Sequence, residues 1–475
     1  MEWKTRPLTC LGVTENNSPQ MQLHAESGTG LHQEDVKRRH ILPKALVIGL
    51  VAGVISSAFR EALQWSETHR IAWLNRLPPV GSLLAALSLG AVGGGVGLWL
   101  VRRFAPETTG SGIPHIKSVV LGEEELRWWR VLPVKFFAGI ASIGGGLALG
   151  REGPTIQIGG ATGLMVSRWF RVRPGEGERK ALICAGAGAG LAAAFNAPLA
   201  GVIFVLEELH GAFTPVIFVA AFLACVTTDV VCRIMTGETP VFGLHGMPVP
   251  SLTALPVALV VGVMAGLGGV VFNRCLLASL DAFDRLKRWP PMAVGALTGL
   301  VVGLAAWIYP QVSGSGGLLA ERALAGEFSI RVVLLLIVAR FALTMISYGS
   351  GSAGGIFAPL LVIGALGGLA VGNTAHALAP AWAGHPEVFA VLGMGALLTA
   401  IVRAPLTGIV LMIELTGKYD YMLPLLVSCL VAYGIAEGLR DLPVYEALRR
   451  RAKHRMAAAS ALGLKELGTS TKPQG

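Results

Sequence analysis

The chain has 475 residues, of which 53% are hydrophobic and only 14% are charged. Soluble domains carry about 25% charged residues, so this composition excludes a soluble globular protein and indicates a membrane protein. The net charge of +10 fits loops that lie against anionic lipid, and we expect no nucleic-acid partner because the chain offers no soluble basic domain to bind one.

Apolar segments follow a polar N-terminal stretch that lacks the apolar core of a removable signal peptide. Several stretches without Asp, Glu, Lys or Arg exceed the about 20 residues that cross hydrocarbon as a helix: 77–101, 181–206, 209–228, 251–273, 289–320 and 341–386. Shorter apolar stretches lie near 45–59, 136–150, 388–402 and 421–436. We therefore predict an all-α polytopic membrane protein with about ten or more apolar segments.

Basic clusters flank the apolar region at both ends, with 37–39 before it and 449–455 after it. The positive-inside rule then predicts that both termini are cytoplasmic and that the number of crossings is even. We divide the chain into a polar cytoplasmic arm (1–43), a transmembrane domain (44–445) and a polar cytoplasmic tail (446–475).

The chain contains an internal repeat. "GAGAGLAAAFNAPLAGVIFVLEEL" from Gly186 matches "GMGALLTAIVRAPLTGIVLMIELT" from Gly393, with Glu207 opposite Glu414. Two Gly/Ala-rich membrane helices can look alike by chance, but the matched "APLxG" pattern argues against chance. Such duplication in transporters accompanies two inverted halves with the binding site between them. We predict halves at approximately 44–235 and 252–445.

Three glycine-rich turns share one pattern: "GSGIP" at 110–114, "GREGP" at 150–154 and "GSAGGIFAP" at 351–359. In each, glycines leave backbone N–H groups uncovered, and a proline then falls in the first helical turn. A helix that begins there presents free amide donors and the positive end of its dipole. Three such ends near the middle of the membrane would bind an anion without a lysine or arginine in the site.

Two hydroxyl groups can complete such an anion site, those of Ser111 and Tyr445. Each has a plainer interpretation, because a serine between glycines is often a turn residue and a tyrosine at a segment end often lies in an interfacial aromatic belt. Glu152 is the unexpected residue, since it places a carboxylate inside an otherwise apolar region.

In its motifs the sequence resembles the CLC family of chloride channels and chloride/proton exchangers. The resemblance rests on "GSGIP", "GREGPTIQIGG", "GGIFAP", the duplicated "APLxG" helices, "WWRVLPVKFF" at 128–137 and the late tyrosine, in the family's order, over roughly 40–450. It implies a CLC-type fold of two inverted repeats of tilted and broken helices. It also implies a homodimer in which each subunit has its own pathway, and a bacterial-type member without C-terminal nucleotide-binding domains.

Site residues follow from the resemblance by position. The chloride ligands would be the Ser111 hydroxyl, the N–H groups of Ile356 and Phe357, and the Tyr445 hydroxyl, and Glu152 would be the gating glutamate. The alternative for Glu152 is that it only pairs with its neighbour Arg151.

Glu208 resembles the internal proton-transfer residue of the family's exchangers, since channels usually have an uncharged residue there. The alternative is that Glu207 and Glu208 form a solvated helix end. His115 and Lys117 stand where acidic residues are common in the family, and both can equally be surface positions of no mechanistic weight.

The function predicted is chloride/proton antiport across the cell inner (plasma) membrane by a multi-pass protein whose partners are chloride, protons and membrane lipid. A passive CLC-type chloride channel is the alternative. Ser111 argues against a fluoride exporter. An intramembrane serine protease would need a base near Ser111, for which His115 is the candidate. We therefore predict no enzyme activity, no cofactor beyond bound chloride and, because the cysteines lack C-x-x-C spacing, no metal.

Overall fold

The computed structural model describes residues 19–173, 177–237, 242, 249–286 and 288–469. Within these ranges the protein is helical, and the only extended pairing consists of two isolated β-bridges. Eight helices make up the first part of the chain: α1 (Pro19–Arg76), α2 (Pro79–Phe104), α3 (Ile113–Val120), α4 (Trp128–Gly139), α5 (Glu152–Trp169), α6 (Gly177–Phe195), α7 (Pro198–Phe204) and α8 (Pro215–Thr236).

The second part of the chain repeats this order. Its helices are α9 (Leu255–Asp284), α10 (Pro291–Ile308), α11 (Gly317–Leu324), α12 (Ile330–Gly349), α13 (Phe357–Leu378), α14 (Val388–Val402), α15 (Pro405–Thr416) and α16 (Met422–Gly438), followed by α17 (Val444–Thr469). π-helical turns extend α4 over Ile140–Gly144 and α7 over Val205–His210.

The internal repeat extends to matched backbone details. α3 and α11 are each eight residues long, and each follows a left-handed glycine, Gly112 or Gly316. The breaks before α7 and α15 are made by two further left-handed residues, Asn196 (φ 52°) and Arg403 (φ 68°). The predicted repeat is therefore confirmed along the whole order of helices, beyond the "APLxG" segments that revealed it.

In the part of the chain that the structure describes, eight helices are long and apolar enough to cross a membrane, and α14 and α15 are shorter apolar helices. Some apolar stretches that the sequence suggested as single segments are wrong as single helices. The stretch 181–206 is divided into α6 and α7, and 289–320 into α10 and α11. The stretch 341–386 is too long for one crossing, its glycine-rich turn predicts an interruption, and it is indeed divided there into α12 and α13. The physical reason is that proline or glycine-rich turns interrupt each stretch, and buried turns are compatible with apolar composition.

Helices α2 and α10, which are counterparts in the two repeats, pack through glycine. A Cβ atom at Gly90 would lie 2.1 Å from the carbonyl oxygen of Gly299, and one at Gly299 would lie 1.8 Å from that of Gly90. Small residues allow helix backbones to approach this closely in membranes, where van der Waals packing and hydrogen bonds drive association. Most glycines of α2 therefore form a helix contact.

Two boundaries expected from the sequence fall inside helices. α1 continues through residue 43, and its membrane-compatible part begins at His40. α17 begins at Val444 and continues past Tyr445, so this tyrosine belongs to the first turn of the tail helix. Residues 1–18 and 470–475 of the predicted arm and tail lie outside the described residues.

Candidate functional site

The three glycine-rich turns are joined directly to one another by backbone hydrogen bonds. Gly150 and Gly355 exchange two of them, with N···O distances of 2.6 and 2.7 Å. The Gly354 N–H donates to the Gly110 carbonyl at 3.1 Å. The predicted convergence of the turns is confirmed, and the starts of α3, α5 and α13 meet at one place.

Glu152 is buried at this meeting point, with 2% of its surface exposed. Its Oε2 atom accepts a hydrogen bond of 3.2 Å from the N–H of Ala358, in the first turn of α13. Arg151 lies farther away, with Nε 3.9 Å from Oε1. A Cβ atom at Gly150 would lie 2.3 Å from Oε2, so glycine is needed there for the carboxylate to reach α13. Pairing with Arg151 alone does not account for this position.

Ile356 and Phe357 immediately precede Ala358. Because α13 begins at Phe357, their N–H groups come before the first intrahelical hydrogen bond and have no acceptor within the helix. The ring of Phe357 packs against Phe195 and Phe204, with centroid distances of 5.6 and 6.5 Å. The start of α13 is therefore fixed by aromatic contacts while its amide donors stay available.

Hydroxyl groups meet on the other side of the turns. Tyr445 is fully buried, and its hydroxyl has no hydrogen-bond partner among the described residues. Tyr348, Glu208 and Glu152 lie close enough to act electrostatically on that hydroxyl. An unpartnered buried hydroxyl is unfavourable unless something else binds it. The unpartnered hydroxyl of Tyr445 is compatible with a ligand to an anion, and that role stays a prediction.

Tyr348 is a residue that sequence reasoning missed. Its hydroxyl hydrogen-bonds both the backbone and the side chain of Ser111. Ser111 is 1% exposed, and its Oγ also accepts the Ile113 N–H at 3.2 Å. The only sequence signal was a tyrosine just before "GSGSAGG". Ser111, Tyr348 and Tyr445 therefore form one cluster of buried hydroxyls next to the glycine turns.

Lys135 is a second missed residue, although it is the only lysine in "WWRVLPVKFF". It is fully buried and donates to the carbonyls of Thr108 (2.9 Å) and Gly110 (2.5 Å). Lys135 therefore fixes the turn that carries Ser111.

Glu207 and Glu208 are neighbours with different surroundings. Glu207 accepts the N–H groups of Leu406 (3.0 Å) and Thr407 (2.8 Å) at the start of α15. Glu208 is 6% exposed and accepts a hydrogen bond of 2.7 Å from Lys117. Neither carboxylate belongs to a solvated helix end, and Lys117 is not a free surface residue.

Two cavities approach the turns. One of about 600 Å³ is lined by Glu152, Arg151, Ala358, Glu67 and others. A second of about 200 Å³ lies between α17 and the Ser111 turn, and its lining includes Gly110, Gly112 and Tyr348. The two cavities thus approach the glycine-rich turns through separate sets of lining residues.

His115 does not serve Ser111 as a base. Its Nδ1 contacts the side-chain nitrogen of Gln157 at 3.0 Å, and its Nε2 lies 3.7 Å from a carboxylate oxygen of Glu124. The serine-protease alternative therefore lacks the base that it requires. Among the described residues no group of three or more His, Cys, Asp or Glu side chains is placed to hold a metal ion.

Comparison with known proteins bears directly on this arrangement. The family profile described as "Voltage gated chloride channel" matches residues 93–437, which is more than half of the chain. The chain belongs to the CLC family. The resemblance predicted from the motifs is confirmed, and membership places the chain among transporters rather than enzymes.

Curated CLC relatives cover nearly the whole chain. An H(+)/Cl(-) exchange transporter ClcA of Vibrio parahaemolyticus is 41% identical over 86% of this chain and 89% of its own length. A protein of the same name from Salmonella agona is 41% identical over 91% of this chain and 92% of its own length.

Solved CLC structures share the fold. A slow cyanobacterial Cl−/H+ antiporter matches with a TM-score of 0.83 and 38% identity, over 87% of this chain and 97% of that one. A CLC-type fluoride/proton antiporter matches with a TM-score of 0.71 and 24% identity, over 84% and 96% of the two chains, and that likeness concerns the fold alone.

Proposed function

We propose that this protein is a chloride/proton antiporter with Glu152 as its gating glutamate. The observation that carries the proposal is the hydrogen bond from the Ala358 N–H to the Glu152 carboxylate. That carboxylate is an anion held by the start of α13, among three converging helix N-termini that favour negative charge. It occupies a place that chloride would also favour.

Competition between the Glu152 carboxylate and chloride for one position couples chloride movement to proton movement. When Glu152 is ionised, its carboxylate fills the outer anion position and blocks it. When Glu152 binds a proton, it loses the attraction of the helix ends, and chloride takes its place with Ser111, Ile356, Phe357 and Tyr445 as ligands. Partial charges and hydroxyls replace hydration without the tight hold of a lysine, so chloride is also released.

Glu208 is proposed as the internal proton-transfer residue. It is buried and lies close enough to act on the Tyr445 hydroxyl, as does Glu152. A buried carboxylate within electrostatic range of the same hydroxyl as Glu152 is a candidate to pass a proton towards it. A passive channel needs no such buried acid, and the exchanger is therefore preferred to the channel.

We further propose that two copies of the chain, each built from two inverted halves, form a homodimer in the inner membrane. Both termini would be cytoplasmic. The basic residues of α17 support this orientation through the positive-inside rule. α7 and α15 are counterparts in the two repeats. Each exposes a leucine, Leu199 (50%) on α7 and Leu406 (57%) on α15. Both helices are too short to face lipid across a bilayer, which favours a second copy as their cover. The mass of the detergent-solubilised protein, corrected for detergent, tests the dimer.

Purified protein in liposomes with an outward or inward chloride gradient tests the antiport. We expect chloride movement to drive protons in the opposite direction against their gradient, recorded by a pH electrode. Chloride flux that never moves protons uphill would indicate the channel and contradict the proposal.

A further inference from the structure

Lys117 forms a buried ion pair with Glu208. Its Nζ atom lies 2.7 Å from Oε1 of Glu208, and the two side chains are 18% and 6% exposed. Lys117 belongs to α3, the helix that begins just after Ser111. A cation at this distance stabilises the ionised carboxylate, and removing one partner of a buried pair leaves the other charge uncompensated.

Few other charges act on the Glu208 carboxylate. Two acids oppose Lys117, namely Glu207 on the same turn and Glu446 at the start of α17. α7 has no charged residue. Other charged groups lie on the packed helices. On α6, Glu178 pairs with Lys44, Lys180 acts on His210, and the Nε atom of Arg179 has no hydrogen-bond partner among the described residues. On α8, Asp229 and Arg233 pair with each other. None of them is among the groups that act on Glu208. Lys117 is thus the cation that favours the ionised form of Glu208 against the effect of burial, which is the larger influence.

Glu446 gives Lys117 a second anionic neighbour. Lys117 acts electrostatically on Glu446, which is adjacent to the anion-binding candidate Tyr445. Glu446 also accepts hydrogen bonds from Arg449 and Arg450, and it remains within electrostatic range of the Lys117 ammonium when Glu208 binds a proton. The ion pair can open without leaving an unpaired buried cation, which makes proton uptake by Glu208 compatible with this fold.

We propose that Lys117 is a positioning residue for proton transfer, which holds Glu208 ionised and in place and turns to Glu446 when Glu208 takes up a proton. The proposal rests on the proposed function, in which Glu208 carries the proton. It predicts that Lys117 sets the pH at which Glu208 becomes protonated, and that Glu446 shifts this pH in the opposite direction.

Carbodiimide labelling of the full-length protein tests this without any ion transport. Carbodiimides react with protonated carboxyl groups, and peptide mass spectrometry reads the modified fraction of Glu208 at each pH. We expect Lys117→Met to move the midpoint of labelling upward by one pH unit or more. Glu446→Gln should move it downward, and the charge-conserving Lys117→Arg should stay close to wild type.

A midpoint in Lys117→Met equal to that of wild type would overturn the proposal, as would equal shifts in Lys117→Met and Lys117→Arg. Liposome transport supplies the second readout. In Lys117→Met the pH profile of chloride-driven proton movement should shift upward by the same amount as the labelling. If wild-type protein failed to couple the ions, the proposed function would fail while the labelling result still decided the role of Lys117.

Discussion

Tyr348 shows how a single hydroxyl can prepare the anion site. It hydrogen-bonds the backbone and side chain of Ser111, which sits between two glycines with positive φ, Gly110 (64°) and Gly112 (82°). Such a turn has little side-chain packing of its own to fix the Ser111 hydroxyl. We therefore assign Tyr348 to positioning Ser111, while Tyr445, whose hydroxyl has no partner in the described protein, is the direct ligand candidate.

Tyr348→Phe is expected to weaken chloride binding about fivefold. A net hydrogen bond contributes about 1 kcal/mol, and about 1.4 kcal/mol corresponds to tenfold in affinity. Calorimetric titration of the purified protein with chloride measures the change. Tyr309→Phe is the matched control, because the Tyr309 hydroxyl bonds to Gln311 and Arg322 instead. Equal chloride affinity in the two variants would argue against the positioning role.

The local sequence pattern identified some residues of the candidate site and missed others. Ser111, Glu152, Ile356 and Phe357 lie in glycine turns whose local pattern already predicts helix N-termini. Tyr348 and Lys117 lie outside any such signal, because their importance comes from partners that are distant in sequence or from a charge on another helix. Such partners are defined only once the chain is folded.

Helix α17 carries Tyr445 and is held by ion pairs to both parts of the chain. Arg449 and Lys453 pair with Glu123, which follows α3. Arg451 pairs with Asp281 and Asp284 at the end of α9. From the sequence, these basic residues indicated only that the C-terminus is cytoplasmic, because the positive-inside rule does not specify their partners. The structure adds that they fix the helix on which the tyrosine lies.

Docking of α17 is expected to persist in mild acid and to be lost as pH falls below about 4.5. Hydrogen bonds from Arg449, and then from Arg450, lower the pKa of Glu446 from its ordinary 4.5 to about 2. Hydrogen bonds from Arg449 and Lys453 likewise lower the pKa of Glu123. The Glu446 bonds lie within α17 and stabilise the helix itself, whereas the Glu123 bonds dock the helix against the residues that follow α3. Because both pKa values are depressed on folding, docking through Glu123 is present above about pH 4.5 and is lost at lower pH, and the helix stabilisation by Glu446 is lost as pH falls towards 2.

Hydrogen exchange of residues 444–455, corrected for the intrinsic rate at each pH, measures this docking. Glu123→Gln should raise the exchange rate slightly at neutral pH, because it removes the shared acceptor of Arg449 and Lys453, and solvent-exposed ion pairs contribute little. Glu125→Gln, an exposed neighbour, serves as the control. Protection that fell already between pH 7 and pH 5 would contradict this account.

The two repeats correspond in their helix-capping carboxylates as well as in the order of their helices. Glu207 caps the start of α15, and its counterpart Glu414 caps the start of α7 through the N–H groups of Leu199 (3.0 Å) and Ala200 (2.7 Å). The two repeats thus exchange identical caps.

A second correspondence concerns buried cations. Arg340 donates to the carbonyls of Val312, Gly314 and Ser315 at 2.6–2.7 Å, as Lys135 does to the turn of Ser111. The duplicated "APLxG" segments predicted the repeat. They could not predict the exchanged caps, which join the two halves, nor the Lys–Arg correspondence, because the two residue types differ.

Glu207→Gln and Glu414→Gln are expected to destabilise the protein without removing proton coupling. Capping interactions contribute about 0.5–2 kcal/mol, so each variant should have a lower midpoint of thermal unfolding in detergent. Glu208→Gln should instead stop proton movement while chloride flow continues. A loss of coupling in Glu414→Gln, or full coupling in Glu208→Gln, would contradict the separation of structural and proton-carrying carboxylates.

The central claim is that the ionised carboxylate of Glu152 and a chloride ion compete for one anion position. Protonation of Glu152 releases that position to chloride. Its most direct test is proton movement driven by a chloride gradient in liposomes containing Glu152→Gln, which mimics the protonated side chain. Glu321→Gln is the control, because Glu321 lines the same cavity of about 600 Å³ as Glu152. We predict chloride flux without proton movement in Glu152→Gln and normal coupling in the control; proton movement at the wild-type ratio in Glu152→Gln would contradict the account.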